Sequence, residues 1–461
     1  MNVENRLAAQ GAAVPELLIP REGIDLSKWA VIACDQYTQD RGYWERVQAL
    51  AGDAPSSLNL IYPEVYLEES DKKERIAAIH RTMKRYLESD VFAPPQKALV
   101  YVERNTPYHR SRKGLLTRKG LLIALDLEAY DWKTGVVHPP LIRPTEGTVP
   151  ERLPPRMEIR RNAGLETPHI LVLIDDEENV LLPALGEKAK QQTIPPLYDA
   201  ELMFGSGRIQ GWKLDKENDW DFLAGGLEKL AQSAAKKYGS QDASQITSPF
   251  LYAVGDGNHS LATAKEIWEE YKTQRNHSDI MNHPARWALV ELVNLYDPAL
   301  SFEPIHRVLF GTDAATVQKA LSQLPDYRCR NIDSGSELEA LEKDQTCGML
   351  RLGLISGEHC FLIEAETVPL AIDVLQPLLD TLTGNQNGTI SIDYIHGSEE
   401  LFRLAAGKNT SAPNTVGILL PPFRKQGLFG TIAKRGPLPR KSFSMGESSE
   451  KRFYLECRKL F

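Results

Sequence analysis

Cysteine is scarce and scattered in this sequence: Cys34, Cys329, Cys347, Cys360 and Cys457 include no C-x-x-C pair, and their number is odd. A disulfide framework and a clustered zinc site are therefore not indicated. Long apolar runs are missing as well, so no segment reaches the length that spans a bilayer. The start, Met1-Asn2-Val3-Glu4-Asn5-Arg6, lacks the charged-then-apolar pattern of a signal peptide. These absences predict a cytoplasmic protein without a membrane partner. Positive charge is in deficit, with 54 Lys and Arg against 62 Asp and Glu and a formal net charge of −8. Bulk binding to nucleic acid draws its affinity from clustered cations and is excluded, whereas a local cluster holding a small anion is not. The G-x-x-x-x-G-K-[ST], H-E-x-x-H, G-x-S-x-G and protein-kinase signatures are absent, as are internal repeats and low-complexity tracts.

What remains is an ordinary globular composition, 42% apolar and 25% charged, spread over 461 residues. That length predicts two or three domains. Apolar runs of strand length at 30–34, 98–102, 120–127, 170–174, 250–254, 349–354, 360–363 and 416–420 alternate with helical patterns at 72–88, 220–237, 261–272, 314–323 and 371–383. The alternation predicts a mixed α/β or α+β fold. Two irregular stretches, 137–155 with its six prolines and 274–284, read as long connections. The second predicts the domain boundary, with 1–284 as an N-terminal α/β domain and 285–461 as a C-terminal α+β domain.

The most informative stretch runs from Phe250 to Tyr271. An apolar strand pattern stops at Gly255-Asp256-Gly257-Asn258-His259-Ser260, and an amphipathic helix with Leu261, Ala264, Ile267, Trp268 and Tyr271 on one face follows at once. Ser260 is the predicted N-cap. Glycines let the backbone approach a ligand, and the free N–H groups of a helix start favour a phosphate or carboxylate. Asp256 and His259 add groups able to move a proton or aim an anion. Ordinary turn chemistry accounts for Asp-Gly and Gly-Asn equally well.

Three other segments carry candidate chemistry. Arg143-Pro144-Thr145-Glu146-Gly147-Thr148 is followed by Arg152, Arg156, Arg160 and Arg161, either an anion clamp or a surface salt-bridge lattice. Pro439-Arg440-Lys441-Ser442 places a cation and a hydroxyl in a rigidly entered turn, or is simply a solvated loop before a final strand at 452–457. Asp35 and Gln36 follow an apolar run ending at Cys34, and strand ends are where open α/β sheets bind ligands. The glycines of 205–211 lack the spacing and frame of a nucleotide loop and predict a turn into a strand, while His306-Arg307 and the pair Asp393 and His396 read as structural.

Taken together, Cys34-Asp35-Gln36-Tyr37, Arg143 to Arg161, Gly255 to Ser260, Pro304 to Val308 and Leu438 to Ser442 resemble domain-of-unknown-function family 1015 over roughly Leu18 to Leu460. The family's central D-G-H-H-R motif is similar to the turn of the ParB/sulfiredoxin-like superfamily, which includes an archaeal free serine kinase. The resemblance implies a ParB/sulfiredoxin-like N-terminal part. It further implies nucleotide (ATP or ADP) with magnesium, phosphate contacts from Gly255, Gly257 and His259, and Asp256 orienting His259 or holding a metal. This sequence departs from the motif at Asn258 and Ser260, where His and Arg are usual, and at Thr145, where His is usual.

The expectation is a nucleotide-dependent phosphotransferase acting on a small hydroxyl metabolite such as serine. Gly255, Gly257, Asn258, Ser260, Lys441 and Ser442 would neutralise phosphate, Arg152 and Arg156 would steady it, and Glu146 or Asp256 would accept the hydroxyl proton beside His259. Asp35 and Gln36 would meet the substrate. No protein-held metal site is expected. The departures from the motif favour the alternative, a non-catalytic nucleotide or metabolite sensor. Oligomeric state is not read from the sequence.

Overall fold

The computed structural model describes residues 1–107, 115–133, 135, 139–239, 248–274, 280–344, 348–384, 389–406 and 414–461. It is a mixed α/β structure whose contacts divide into two compact units, Met1–Leu300 with Gly446–Phe461, and Ser301–Met445.

Among the described residues, the first unit holds a nine-stranded mixed sheet. Its order is Tyr198–Glu201, Arg208–Leu214, Leu99–Pro107, Leu115–Asp126, Trp287–Asn294, Leu171–Ile174, Tyr252–Asp256 and Ile142–Pro144, with Ala12–Ala13 paired beside Leu115–Asp126. Both faces of this sheet are covered, which explains why its strands are near-continuous apolar runs rather than alternating ones. Leu121, Ile123, Val290 and Leu292 pack under the helices Leu181–Gln192, Glu217–Tyr238 and Asn258–Gln274, through Leu185, Leu227, Leu261 and Trp268. Leu122, Val100 and Leu289 face the opposite way, toward Trp29, Trp44, Ile79, Met83, Phe453 and Tyr454.

The boundary expected at 284/285 is corrected to follow Leu300. Trp287–Asn294 is an interior strand, antiparallel to Leu115–Asp126 and parallel to Leu171–Ile174, so the chain cannot leave the sheet before it. The C-terminal domain also ends early. The chain returns after Met445, and Phe453–Tyr454 pairs antiparallel with Val31–Ile32. Only Phe453 and Tyr454 of the expected 452–457 strand are paired this way, with a single bridge from Cys457 to Leu18.

The second unit is built on an antiparallel sheet ordered Arg328–Ile332, His359–Glu366, Met349–Ser356, Thr415–Leu419, Phe302–Phe310 and Ser391–His396. His306 and Arg307 are buried within it, as their structural reading requires. The Leu420 N–H donates to His306 Nδ1 at 3.1 Å. Burial, then the Arg307 charge, pushes this imidazole down to about 4. Between that value and the ordinary 6.5 the unfolded chain binds a proton that the native state refuses, so stability falls as pH drops through this window. The expected loss is about 3 kcal/mol from pH 7 to pH 4. Urea midpoints of His306→Gln should lack this part of the acid slope when compared with the parent. No helix among the described residues is long and apolar enough to cross a membrane.

Candidate functional site

The expected strand, turn and helix are all present around Gly255. Tyr252–Asp256 lies parallel to Ile142–Pro144 and antiparallel to Leu171–Ile174, and the second pairing shifts register between Val254 and Asp256. Such a bulge re-aims side chains at the end of a strand. Gly257 then takes φ +81° with Ile170 packed against it, so a Cβ at 257 would be strained in its backbone and would crowd the Ile170 Cα at 3.2 Å. The helix begins at Asn258, not after Ser260. Ser260 is therefore inside the first turn, and its hydroxyl meets His169 Nε2 at 2.9 Å instead of capping the helix.

Each polar side chain of the turn has a defined neighbour. Asp256 accepts the Gly257 N–H at 3.0 Å through Oδ1, and its Oδ2 lies 3.1 Å from Lys451 Nζ. The Lys451 side chain is only 9% exposed, so this cation belongs to the site and not to the solvent. His259 Nε2 accepts the Val149 N–H at 3.2 Å, which fastens the 145–152 loop to the helix and makes that nitrogen an acceptor. Thr145 donates through Oγ1 to Val254 O at 2.6 Å, and Asn258 Nδ2 reaches the same hydroxyl at 3.4 Å. Glu146 follows Thr145 and is half-buried, at the same carboxyl end of the parallel strand pair as Asp256. Asn258 Oδ1 and Thr148 Oγ1 are buried without a hydrogen-bond partner among the described residues. Buried polar atoms of this kind are normally satisfied, so these two mark a place for water or a ligand's polar groups.

A second wall comes from the N-terminal segment and the chain's end. The Ala33 N–H donates to Arg452 O and the Glu64 N–H to Cys34 O, which sets Asp35 and Glu64 near each other. Gln36 Nε2 donates to Asp35 Oδ1 at 3.0 Å, and Arg156 forms a tight ion pair with Glu64. His169 Nδ1 lies 2.9 Å from the Tyr454 hydroxyl, which in turn accepts the Cys34 N–H at 3.1 Å. The two carboxyls are pushed apart. Burial alone would raise Asp35, but neighbouring His169, the Gln36 hydrogen bond and Lys451 outweigh it and hold the carboxyl below its usual value. Burial raises Glu64, and Arg156 offsets this only in part. Burial also pushes the Cys34 thiol up, so it is not an activated nucleophile.

Asp35, Gln36, Arg156, Asp256, Asn258, His259 and Ser260 thus share one region of the first unit with Glu146 at its strand end. The arginine segment divides its tasks: Arg156 pairs inward with Glu64, Arg160 with buried Glu166, and Arg161 with Glu270 at the surface. Arg152 is exposed, one turn from Val149, to whose carbonyl its N–H is bonded. Arg143 is a packing residue that donates to the Pro140 and Ser248 carbonyls and stacks on Phe250. Lys441 and Ser442 belong to the second unit, where buried Ser442 donates its hydroxyl to Pro439 O and lines a cleft with Pro304, Arg351 and Phe423. The expected cluster of free cations over the turn is therefore corrected. The inward cations are paired with carboxylates, and Ser442 spends its hydroxyl on its own turn.

Glu64, His169, Lys451 and Tyr454 were not singled out in the sequence. His169 directly precedes a strand run, the opposite end from the one that favoured Asp35, and nothing local marks the other three. Among the described residues no group of three or more His, Cys, Asp or Glu is placed to hold a metal ion.

No match was found among curated proteins. Among solved structures, a free serine kinase in complex with AMP is 12% identical, covering 74% of this chain and 92% of its own, at a TM-score of 0.35. A conserved hypothetical protein from Pyrococcus furiosus is 13% identical, with coverages of 74% and 95% and a TM-score of 0.34. SbnI from Staphylococcus aureus with a C-terminal truncation is 10% identical, with coverages of 72% and 85% and a TM-score of 0.33. Likeness at this level assigns neither a site nor an activity. The family described as "Protein of unknown function (DUF1015)" matches residues 18–382, a shorter span than the expected 18–460 but well over half of the sequence. The chain is a member of the DUF1015 family.

Proposed function

We propose that the chain is a nucleotide-dependent phosphotransferase whose acceptor is a small hydroxyl metabolite, serine being one such substrate. The observation that carries this reading is the meeting of a helix start, one buried and one half-buried cation and an ionised carboxylate in one unit. Lys451 stands beside Asp256, Arg156 beside Glu64, and Asp35 is held in its charged form. Phosphoryl transfer asks a protein mainly for position and charge neutralisation. The N–H groups of the Asn258 turn and Lys451 would receive the phosphates, and Arg152 would close over them from the 145–152 loop. Environments that drive two neighbouring carboxyls apart in acidity are the usual mark of an acid and a base. Asp35 is accordingly the base that takes the acceptor's hydroxyl proton, and Glu64, paired with Arg156, holds a proton more readily than an ordinary carboxyl. Magnesium would enter as part of the nucleotide substrate, with Glu146 and Asp256 as the oxygen donors at the strand ends.

One observation favours the binding-only alternative. His259 Nε2 is spent on the Val149 N–H, so that nitrogen is not free to serve at a phosphate unless the loop moves. Thermal-shift measurements with ATP, ADP, CTP and serine, paired with product analysis, separate the two readings. Stabilisation with a phosphorylated product supports the transferase, and stabilisation without product supports a sensor. No response to any nucleotide removes both. Lys451→Ala is expected to weaken nucleotide binding about 10-fold to 100-fold, the range of one or two charge-assisted hydrogen bonds. Unchanged affinity would take Lys451 out of the site.

A further inference from the structure

We propose that Ser260 is a nucleophile, with His169 as its general base and Tyr454 as the group that orients the imidazole. The three side chains form one chain of contacts, Ser260 Oγ to His169 Nε2 at 2.9 Å and His169 Nδ1 to the Tyr454 hydroxyl at 2.9 Å. A nucleophile, a base in reach and a third group orienting the base is the geometry that activates a hydroxyl. Ser260 is half-buried on the first turn of a helix that follows directly from a strand and a tight turn, so its hydroxyl faces the same region as Lys451 and Asp35.

Proton placement follows from counting around the phenol. A tyrosine hydroxyl has one proton and two lone pairs. One lone pair accepts the Cys34 N–H at 3.1 Å. The second lone pair takes the His169 Nδ1–H. Nε2 is then an unprotonated acceptor aimed at the serine. Burial, with Cys34 and Asp35 adding to it, keeps the phenol neutral at every ordinary pH, so this arrangement does not switch off through Tyr454.

For the electrophile, the inference rests on the phosphotransfer reading. Ser260 Oγ would attack the terminal phosphorus of a nucleoside triphosphate, the bond from that phosphorus to the bridging oxygen would break, and the nucleoside diphosphate would leave. The serine proton would move to His169 Nε2. In the second half the acceptor's hydroxyl oxygen attacks the phosphoserine, its proton passes to Asp35, and Oγ leaves with the proton returned by His169. Free enzyme is restored once Asp35 releases its proton to water.

An alkyl fluorophosphonate tests the nucleophile without any nucleotide, since Oγ displaces fluoride from phosphorus with the same transfer of a proton to His169. Peptide mass spectrometry of the full chain should find the label on Ser260, and His169→Ala should slow labelling about 10²-fold to 10⁴-fold, the range of general base catalysis. Tyr454→Phe, which keeps the ring in the core, should slow labelling and shift its pH profile even if His169→Ala fails to fold. A folded protein that is not labelled at Ser260, or that is labelled at the same rate and pH dependence in Tyr454→Phe, overturns the inference. Full phosphotransfer by Ser260→Ala also overturns it while leaving the transferase reading in place. Failure of the parent to bind any nucleotide removes that reading, and the labelling result still decides the role of Ser260.

Discussion

Glu291→Ala is expected to destabilise the first unit by about 3–5 kcal/mol, the cost of leaving buried charges without their partner. Glu291 is fully buried on the Trp287–Asn294 strand. Arg118 donates to its Oε1 through Nε at 3.3 Å and Nη2 at 3.2 Å, and Arg452 Nε approaches Oε2 at 2.8 Å. The Arg452 contact is an ion pair without hydrogen-bond alignment, since both atoms lack a bonded partner by direction. Arg452 also pairs with Glu456 at 2.5 Å, and Tyr198 donates to the same carboxylate. Arg104 completes the cluster by donating to the Asn105 and Ser449 carbonyls, and burial, with Arg118 next, pushes it down to about 9. Arg104 thus rests on carbonyls, while the other two buried guanidinium groups, Arg118 and Arg452, share two carboxylates. Removing one leaves Arg118 and part of Arg452 uncompensated in a low-dielectric interior. A denaturant midpoint close to that of the parent would contradict this assignment. The network has a positional consequence for the site: it grips the 449–456 segment, which carries Lys451 to Asp256 and Tyr454 to His169.

Asp35→Asn is expected to lower phosphotransfer about 10²-fold to 10⁴-fold while nucleotide binding stays within a few fold, the pattern of a lost general base. The amide is nearly isosteric with the carboxyl and keeps an oxygen for Gln36, so the fold should survive. The loss should therefore fall on kcat. A further expectation concerns pH: Asp35, whose proton affinity is held below the usual carboxylate range, itself contributes no loss of activity until the pH falls below that range. Equal activity in Asp35→Asn would move the role of base to Glu146 at the neighbouring strand end.

Local signals in the sequence were reliable where the physics is local. The stop of an apolar run at Val254, the glycines on either side of Asp256 and the spacing of Leu261, Ala264 and Trp268 depend on neighbours a few residues away, and the strand, turn and helix stand there. The helix start differs by three residues because a serine reads as a cap in any sequence, whereas here its hydroxyl is bound to His169. The boundary was illegible for a different reason. Trp287–Asn294 belongs to the first unit through ladders with strands far away in sequence, and no composition shift marks such pairings. The return of the tail was hidden in the same way, because the pairing of Tyr454 with Val31 is a long-range event. Charge was the least legible property. Arg156 and Lys451 are cations in the sequence, but their effect is set by Glu64 and Asp256, which only the fold brings beside them.

The central claim is that small phosphates bind where the Asn258 helix start meets Lys451, Arg156 and Asp35. A crystal structure of the full chain grown with ADP and magnesium tests it most directly. The expected result is a phosphate group within hydrogen-bond distance of Lys451 Nζ and the backbone N–H groups that follow Gly257. A nucleotide bound within the 301–445 unit, with the turn unchanged and unoccupied, would contradict the account.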